Sequence, residues 1–470
     1  MNSNQFDLAI IGAGPAGMSA ASTAAKQGLK VLLLDEQPRP GGQIYRNIGS
    51  PALKDRQILG PDYYYGEKLL TAFSGAGVTY LHGATVWEVT TDNILYVSVK
   101  GESRRFEFNK LLIATGAQER PSPFPGWTLP GVMTCGAAQI LLKTSGLTPP
   151  GPIVIAGSGP LLLLISCQLI RAGIKIDAIL DTTPGKNYRS ALPEFLGALK
   201  GWRFVLKGMR MLSEIRKAGI QQLSGVTGLS ADQDESGNLS AVTYYDNKGH
   251  QQTLSCSSLL VHQGVIPNSQ LTRSLGLAHV WDEVQKCWKP ELNKWGQSSH
   301  PDILVAGDSA GIGGALAAEL QGKLAVFEIV RQRDAGSATS GNNEIEQEKA
   351  IQELQQQLVI RPFLDRLYSP AEEFMSPPDE TIVCRCEEVT AGEIRSLAND
   401  GCRGPNQTKA FCRAGMGPCQ GRQCGTTVSS LLASELKASP AQVGYYNIRA
   451  PIKPLTLGEL ATIGNADSNC

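Results

Sequence analysis

The sequence predicts an α/β protein with two strand–turn–helix units of the nucleotide-binding kind and a small C-terminal domain. Two observations predict this architecture. Glycine is abundant, with 51 residues in 470, and two glycine-rich turns each follow an apolar run and open a helical pattern. Six of the 11 cysteines fall between Cys384 and Cys424, a cluster that indicates a metal site rather than a disulfide framework.

Charge and hydropathy narrow the class of protein. Lysine plus arginine and aspartate plus glutamate both number 43, so the formal net charge is +0. This balance argues against nucleic acid or an anionic membrane as the main partner. The longest uncharged stretch, residues 144–170, is interrupted by prolines and glycines. It predicts a buried strand, a turn and a helix, so we expect no transmembrane segment. We expect a cytoplasmic protein, and peripheral attachment to the inner face of the membrane stays open.

The first glycine-rich loop has the spacing GxGxxG between an apolar run at residues 6–11 and a helical pattern that ends at Lys26. In this context the glycines permit a tight turn and let the backbone approach a pyrophosphate at a helix N-terminus. An acidic residue at the end of the second strand would accept hydrogen bonds from a ribose. The candidate nucleotide-binding residues are therefore Gly12, Gly14, Pro15, Ala16, Gly17, Asp35 and Glu36.

Three later motifs indicate which nucleotide binds. Gly42-Gln43 follows the second strand, Thr115-Gly116 ends a strand at residues 110–114, and Gly307-Asp308 ends another. With these motifs the sequence resembles the two-dinucleotide-domain flavoprotein oxidoreductases of the pyridine nucleotide-disulfide reductase type. The resemblance implies two Rossmann-like domains, FAD in the first, the Ala-Thr-Gly strand near the flavin, and Asp308 on its ribityl chain. It also places Val86 among the cofactor-binding residues. A helix N-cap role for Asp308 is compatible with this interpretation.

The second glycine-rich loop, at residues 157–162, belongs to a degenerate nucleotide-binding domain. Leu162 stands where the third glycine would be, so helix and strand cannot pack as closely. No arginine pair follows the next strand, where Lys186 and Arg189 are the nearby cations. We therefore expect no use of NAD(P)H, and a structural role or another adenine nucleotide stays open. The lone Cys135 near the flavin region excludes disulfide reductase chemistry, which needs two thiols.

The C-terminal cysteines form two close pairs, Cys384-x-Cys386 and Cys419-x4-Cys424. Four thiolates on glycine-rich loops suit either Zn²⁺ or a [2Fe–2S] cluster. The unit resembles the bacterioferritin-associated-ferredoxin type of [2Fe–2S] domain, which implies that these four cysteines hold the cluster. The second spacing is longer than in the small ferredoxin, and Cys402 and Cys412 are alternative ligands nearby.

The whole chain resembles the α (A) subunits of dye-linked amino- and imino-acid dehydrogenases, which include opine oxidase, D-hydroxyproline dehydrogenase and hydrogen cyanide synthase. The resemblance lies in residues 33–37, 40–46, 83–87, 413–417 and 449–454. It implies an electron-transferring FAD and iron–sulfur subunit. It also implies a partner flavin subunit, related to glycine and D-amino-acid oxidases, that oxidises an opine or imino acid. The resemblance also implies a downstream electron acceptor, and it allows a small ferredoxin-like subunit.

These motifs predict a domain layout and leave two other functions open. The predicted segments are an FAD domain at 1–120 and 265–335, a degenerate nucleotide domain at 121–264, a helical linker at 336–378, a [2Fe–2S] domain at 379–440 and a tail at 441–470. The alternatives are an NAD(P)H-dependent flavin reductase that feeds its own cluster and a zinc-stabilised scaffold subunit. No side chain stands out as a substrate acid or base. Among the histidines, His262 is expected nearest the cofactor.

Overall fold

The computed structural model describes residues 4–334 and 341–463. The rest of the predicted segments, namely residues 1–3, 335–340 and 464–470, lies outside the described residues. The first part of the chain forms strands around one glycine-rich turn and four short or medium helices. These are β1 (Gln5–Ile11), α1 (Pro15–Lys26), β2 (Val31–Asp35), α2 (Arg56–Leu59), α3 (Pro61–Tyr64), α4 (Gly66–Ser74), β3 (Thr79–His82), β4 (Ala84–Val89), β5 (Ile94–Val99), β6 (Glu102–Ile113) and β7 (Ala117–Glu119).

A second α/β unit follows, with an antiparallel meander near its end. Its elements are β8 (Val132–Thr134), α5 (Cys135–Ser145), β9 (Ile153–Ser158), α6 (Pro160–Arg171), β10 (Ala178–Asp181), α7 (Gly185–Ala191), a 3₁₀ turn (Leu192–Glu194), α8 (Phe195–Lys200), α9 (Trp202–Lys217), β11 (Gln221–Ser224), β12 (Thr227–Gln233), β13 (Leu239–Tyr245), β14 (Gln251–Ser255) and β15 (Ser258–Gln263). The uncharged stretch 144–170 thus spans the end of α5, β9 and most of α6, the buried strand, turn and helix that its prolines and glycines predict.

The chain then returns to the first sheet and closes with helices around the cysteine loops. The returning elements are β16 (Val265–Pro267), α10 (Gln270–Ser274), β17 (His279–Asp282), β18 (Cys287–Pro290), β19 (Ile303–Val305), a 3₁₀ turn (Gly307–Ser309) and α11 (Ala315–Arg333). The C-terminal elements are α12 (Gly341–Leu358), α13 (Arg361–Leu367), α14 (Glu372–Met375), β20 (Ile382–Cys384), β21 (Val389–Thr390), α15 (Ala391–Asn399), α16 (Pro405–Cys412), α17 (Gly425–Glu435), α18 (Pro440–Val443) and α19 (Leu457–Ala461).

Two separate sheets organise the two α/β units, a mixed sheet, in which β4 and β5 are antiparallel, and a parallel sheet. The first has the order β3-β2-β1-β6-β5-β4, and β19 also pairs with β6. Its strands β3, β2, β1, β6 and β19 are mutually parallel, so their carboxyl ends share one edge. The second sheet has the order β11-β10-β9-β15-β8 and is parallel throughout. The chain leaves the first unit through β7 and returns through β16, and these two strands pair antiparallel.

The C-terminal domain shares a hydrophobic core with the first sheet. Buried residues of β5 and β6, such as Leu95 and Phe108, belong to the same cluster as Val383 and Leu431 of the cysteine domain. Burial of each large apolar side chain in this shared core stabilises the folded protein by roughly 1.5–3 kcal/mol. The cysteine domain is therefore packed against the first sheet rather than tethered to it. Among the described residues, no helix is both long enough and apolar enough to span a bilayer.

Candidate functional site

The predicted nucleotide-binding residues lie mainly at the carboxyl edge of the first sheet. Gly12 has φ +107°, and a Cβ there would lie 2.3 Å from the Ala114 carbonyl oxygen. A Cβ on Gly17 would lie 1.8 Å from the Gly12 carbonyl oxygen. No side chain fits at either position. Gly12 therefore lets the turn pack against the segment after β6 that carries Thr115 and Gly116, and Gly17 lets α1 pack against the turn.

Gly14 differs from Gly12 and Gly17 because there is space beside its Cα for a Cβ atom. Its φ of −77° is ordinary, and a Cβ there would meet only Gly42 Cα, at 3.8 Å. The neighbouring loop is fixed on this surface, since the Gly41 amide donates to the Ala13 carbonyl at 2.8 Å. Pro15 opens α1, whose N-terminus therefore faces this space. A backbone cradle at a helix N-terminus is the arrangement that binds a pyrophosphate, so the residues fit a dinucleotide.

The two acidic residues at the end of the second strand, Asp35 and Glu36, already have hydrogen-bond or ion-pair partners within the chain. Asp35 is buried, and its two carboxylate oxygens accept from the amides of Ala13, at 2.5 Å, and Gln37, at 2.7 Å. Burial raises the pKa of Asp35 against the lowering effect of these bonds. Glu36 is exposed to solvent and forms an ion pair with Lys453 at 2.7 Å. Asp35 thus fixes the glycine loop, a role that the spacing of the motif does not reveal.

The remaining predicted residues are distributed around the same edge, with one exception. The amide of Asn268 donates to the Gly116 carbonyl at 2.9 Å, and Thr115 Oγ1 donates to the Asn268 carbonyl at 3.4 Å. Asp308 Oδ1 accepts from the amides of Gly313 and Gly314, both at 2.9 Å, at the start of α11. The N-cap interpretation of Asp308 is wrong, because Gly314 is the N-cap residue of α11 and has no side-chain cap, so Asp308 fixes the loop that precedes the helix. Val86 is the exception, because its side chain packs in the core of the first sheet.

A buried lysine beside Gln43 was missed by the sequence reasoning. Lys143 of α5 is 2% exposed, and its Nζ donates to the Gln43 carbonyl at 3.0 Å and to Gln139 Oε1 at 2.8 Å. Gln139 in turn donates to Gln168 at 2.8 Å. Burial, together with the charge of Arg46, lowers the pKa of Lys143 to about 7. In the sequence this lysine looks like the basic last turn of an ordinary helix, so no pattern could have identified it.

A buried histidine packs beside the second glycine-rich loop. His262 is 4% exposed, and its Cδ2 and Nε2 would each lie 3.6 Å from a Cβ on Gly159. His262 Nδ1 lies 2.7 Å from Glu119 Oε1, and Glu119 Oε2 accepts from the Gly136 amide at 2.9 Å. Leu162 is buried in the core between α6 and β9. The imidazole therefore lies within ordinary van der Waals distance of the Cβ position on Gly159.

The same region lacks the dithiol of a disulfide reductase. Cys135 begins α5 beside the Glu119–His262 pair and is fully buried. Burial, and after it the charge of Glu119, raises the pKa of the Cys135 thiol well above its usual value. The thiolate is the reactive form, so this cysteine is held unreactive.

We expect the isolated subunit to show no reduction of its flavin by NADH or NADPH. Leu162 stands in place of the third glycine, so helix and strand cannot pack as closely as a nicotinamide dinucleotide site needs, and no arginine pair follows the next strand. The measurement is anaerobic bleaching of the visible flavin absorption, with dithionite as the positive control. Rapid bleaching by either nucleotide at micromolar concentration would contradict the prediction and favour a self-sufficient reductase.

The four predicted cluster cysteines come together in two pairs. The thiols of Cys384 and Cys424 interact, and so do those of Cys386 and Cys419. The hydrogen bond from Cys424, helped by the Gly415 amide, lowers the pKa of Cys384 to about 6. No group of three metal-ligating side chains is gathered at one point in the described part of the chain. Four thiols in two pairs fit a two-iron cluster, in which each iron takes two ligands, better than a single tetrahedral ion.

The backbone around these cysteines is shaped to donate to sulfur. The Gly415 amide donates to Cys384 Sγ at 3.4 Å. Gln420, at φ +50°, precedes Gly421, at φ +78°, in the loop between the second pair. Tyr446 covers the site from the C-terminal segment, with its hydroxyl 3.9 Å from Cys424 Sγ.

The alternative cysteines have other contacts. Cys412 Sγ donates to the Thr408 carbonyl of its own helix at 3.2 Å. Cys402 is 5% exposed, just after α15. Neither thiol interacts with the two pairs through a hydrogen bond in the described chain.

The loop between Cys419 and Cys424 is docked on the edge of the flavin domain. Gln118 Nε2 donates to the Arg422 carbonyl at 2.9 Å, and Gln270 Nε2 donates to the Gln420 carbonyl at 2.8 Å. Gln118 lies two residues after Gly116, and Gln270 lies two residues after Asn268. The cysteine loop therefore lies directly beside the Thr115–Gly116 edge of the predicted nucleotide site.

An aromatic and cationic stack closes the same interface. The Arg273 guanidinium lies 4.8 Å from the ring centre of Trp288 and 4.1 Å from that of Tyr445. Burial lowers the pKa of Arg273 to about 10. A cation held between two rings in a buried interface gains about 2 kcal/mol or more. These contacts fix the cysteine loops against the first domain, and they join residues that are far apart in the sequence.

Comparison with known proteins agrees with this arrangement. Residues 6–322 match the family described as pyridine nucleotide-disulphide oxidoreductase, and residues 382–434 match the BFD-like [2Fe-2S] binding domain. The opine oxidase A-subunit of Agrobacterium tumefaciens is 43% identical over 98% of this chain and 92% of that protein. The chain belongs to the opine oxidase A-subunit family. Hydrogen cyanide synthase subunit HcnB of Pseudomonas aeruginosa is 34% identical over 97% of this chain and 98% of its own length.

A solved structure shows the same fold. L-proline dehydrogenase from P. horikoshii matches with a TM-score of 0.69 and 18% identity, over 97% of this chain and 79% of that one. This chain is an FAD-dependent oxidoreductase with a [2Fe–2S] domain. It is one subunit of a heteromeric enzyme. The predicted family, fold class and cofactors are thereby confirmed.

Proposed function

We propose that this chain carries electrons between its flavin and its [2Fe–2S] cluster within a dehydrogenase for an opine or another amino or imino acid. The substrate would be of the octopine or nopaline, hydroxyproline or glycine type. It would be oxidised in a partner flavin subunit related to D-amino-acid and glycine oxidases. A downstream acceptor and a small ferredoxin-like subunit would complete the chain. We place the complex in the cytoplasm, peripheral to the inner face of the membrane.

The binding residues follow from the same proposal. The cluster would be held by Cys384, Cys386, Cys419 and Cys424. FAD would be held at the carboxyl edge of the first sheet by Gly12, Gly14, Pro15, Ala16, Gly17, Asp35, Glu36, Gly42, Gln43, Val86, Thr115, Gly116, Gly307 and Asp308. Val86 and Asp35 could contribute mainly through their backbones, because the Val86 side chain is in the core and the Asp35 carboxylate accepts two amides.

The domain layout given above is retained in this proposal, with the C-terminal residues assigned a structural role. Residues 445–462 run from the cysteine loops back across the first sheet. The Ile452 amide donates to the Trp87 carbonyl at 2.9 Å, and the Ser103 amide donates to Thr462 Oγ1 at 2.7 Å. This segment would hold the cluster domain in one orientation relative to the flavin domain.

One observation carries the proposal: the cysteine loop is held by Gln118 and Gln270 beside Gly116. Flavin, when bound, accepts a pair of electrons and releases them singly, which suits a one-electron cluster as the next carrier. The chain's part is to keep the two sites adjacent. A small cleft at this interface is lined by Gln118, Asn268, Gln270, Trp288, Arg422 and Tyr445.

The double variant Gln118→Ala/Gln270→Ala tests this assignment. Two hydrogen bonds worth roughly 1 kcal/mol each would be lost from the loop, so we expect cluster reduction after photoreduction of the flavin to slow by about tenfold. Flavin and iron contents should stay unchanged. Gln251→Ala, on the exposed strand β14, is the matched control. An unchanged rate in the double variant would show that the relay does not pass through this contact.

A further inference from the structure

Three consecutive helices of the second domain expose an unusual number of large apolar side chains. In α7–α9 these side chains are 38–75% exposed. They are Tyr188, Leu192, Phe195, Leu196, Leu199, Trp202, Phe204, Met209 and Leu212. Exposed apolar residues scattered singly are ordinary, whereas a contiguous set marks an interaction site. We call residues 185–217 the α7–α9 surface.

The α7–α9 surface is also strongly basic. It contains eight lysines and arginines against two glutamates, a net charge of +6 in a chain of zero net charge. Both glutamates are bound by arginines from outside the surface, Glu214 by Arg171 at 2.6 Å and Glu194 by Arg366 at 3.1 Å. The zero net charge of the whole sequence therefore conceals a cationic face.

Most of these cations have no acidic partner. Lys186 and Lys207 pair with Glu372 and Asp62. The other six are exposed and form no ion pair among the described residues. They are Arg189, Lys200, Arg203, Arg210, Arg216 and Lys217.

Helix α9 arranges the two kinds of side chain in adjacent rows. Trp202 and Met209 are seven residues apart, and Leu212 lies three residues further, so all three fall on one exposed stripe. Arg203, Arg210 and Lys217 share the same seven-residue spacing and lie directly beside that stripe. The opposite side of the helix is buried through Met211 and Ile215. The helix thus lies flat on the domain and presents apolar and cationic rows together.

We infer that the α7–α9 surface binds an anionic phospholipid bilayer. Helices that lie in a membrane interface combine lysine and arginine with tryptophan, phenylalanine and leucine in this way. Protein–protein interfaces are also enriched in arginine and aromatic residues, but they are depleted of lysine, and four of the eight cations on this surface are lysines. This inference specifies the surface behind the membrane placement proposed above, whereas the electron relay between flavin and cluster does not depend on it.

Sedimentation with lipid vesicles tests the inference on the cofactor-loaded chain, alone and in its co-purified complex. We expect binding to vesicles of mixed phosphatidylglycerol and phosphatidylcholine, weaker binding to phosphatidylcholine alone, and a loss of binding as salt is raised. Arg203→Glu/Arg210→Glu and Trp202→Ser/Met209→Ser should each weaken binding by about tenfold or more. Leu147→Ser, which removes an exposed leucine (59%) outside the surface, should leave it unchanged.

Two results would overturn the inference. One is failure of the chain to sediment with anionic vesicles, or equal binding by the surface variants. The other is loss of vesicle binding in the assembled complex together with loss of the partner subunit from the variants, which would make the surface a subunit interface. Flavin content, iron content and the rate of cluster reduction are measured on the same samples. They should not change, and a defect there would concern the relay instead.

Discussion

Replacement of Cys386 or Cys419 by serine is expected to remove the iron–sulfur cluster and leave the flavin in place. Each variant leaves three thiolates for a site that needs four. Cys386 is exposed and Cys419 is half-buried, so serine at these positions does not disturb a packed core. Iron should fall from two atoms per chain to near zero in anaerobically prepared protein, with loss of the broad visible absorption. The flavin domain has a hydrophobic core on the α1 side of its sheet that is separate from the core shared with the cysteine domain. Flavin content should therefore be retained.

The control variants are Cys402→Ser and Cys412→Ser. Cys412 donates within its own helix, so its loss should cost a weak bond but no iron. Loss of iron from Cys412→Ser, with iron retained in Cys424→Ser, would mean that Cys412 is the fourth ligand. Stoichiometric zinc without iron in the unaltered chain would contradict the cluster altogether.

The parts of the site that the sequence predicts well are local in the chain. The GxGxxG loop needs only its own spacing, a strand before it and a helix after it. Gly12 and Gly17 therefore take the positions that the motif requires. Leu162 is also predictable from the local sequence, because it replaces the third glycine of the second GxGxxG pattern. Strand order follows less directly, but parallel strands joined by helices leave few topologies to choose from.

The contacts that join the two cofactor sites could not be predicted. Gln118 and Arg422 are 304 residues apart in the sequence, and Lys143 and Gln43 are 100 apart. A glutamine in a short strand or a lysine in the last turn of a helix has no periodicity that indicates burial. Asp35 has the right position but a partly different role, because only the folded loop brings the Ala13 amide to its carboxylate. The net charge of the whole sequence, which is zero, also gives no indication of the +6 charge of residues 185–217.

Gly14→Val is expected to abolish flavin binding and leave the fold intact. The backbone at Gly14 has φ −77° and ψ −172°, an extended conformation that valine adopts readily. A Cβ there meets only Gly42 Cα at 3.8 Å, so the protein itself accommodates the start of the side chain. The branched methyl groups would fill the space in which the pyrophosphate reaches the helix N-terminus. Bound flavin should fall to less than about a tenth, while the free energy of unfolding of the apoprotein changes by about 1 kcal/mol or less.

The contrast with neighbouring glycines makes this test specific. Gly17→Ala places its Cβ 1.8 Å from the Gly12 carbonyl oxygen, so it should destabilise the protein as well as remove flavin. Gly185→Val adds the same side chain at a position with open space and no positive φ, away from the first sheet, and should keep both fold and flavin. Flavin released by heat and measured by fluorescence, together with thermal unfolding, separates the three cases. A yellow Gly14→Val protein with full flavin content would place the flavin pyrophosphate at a different loop, because no arrangement at this helix N-terminus leaves room for both groups.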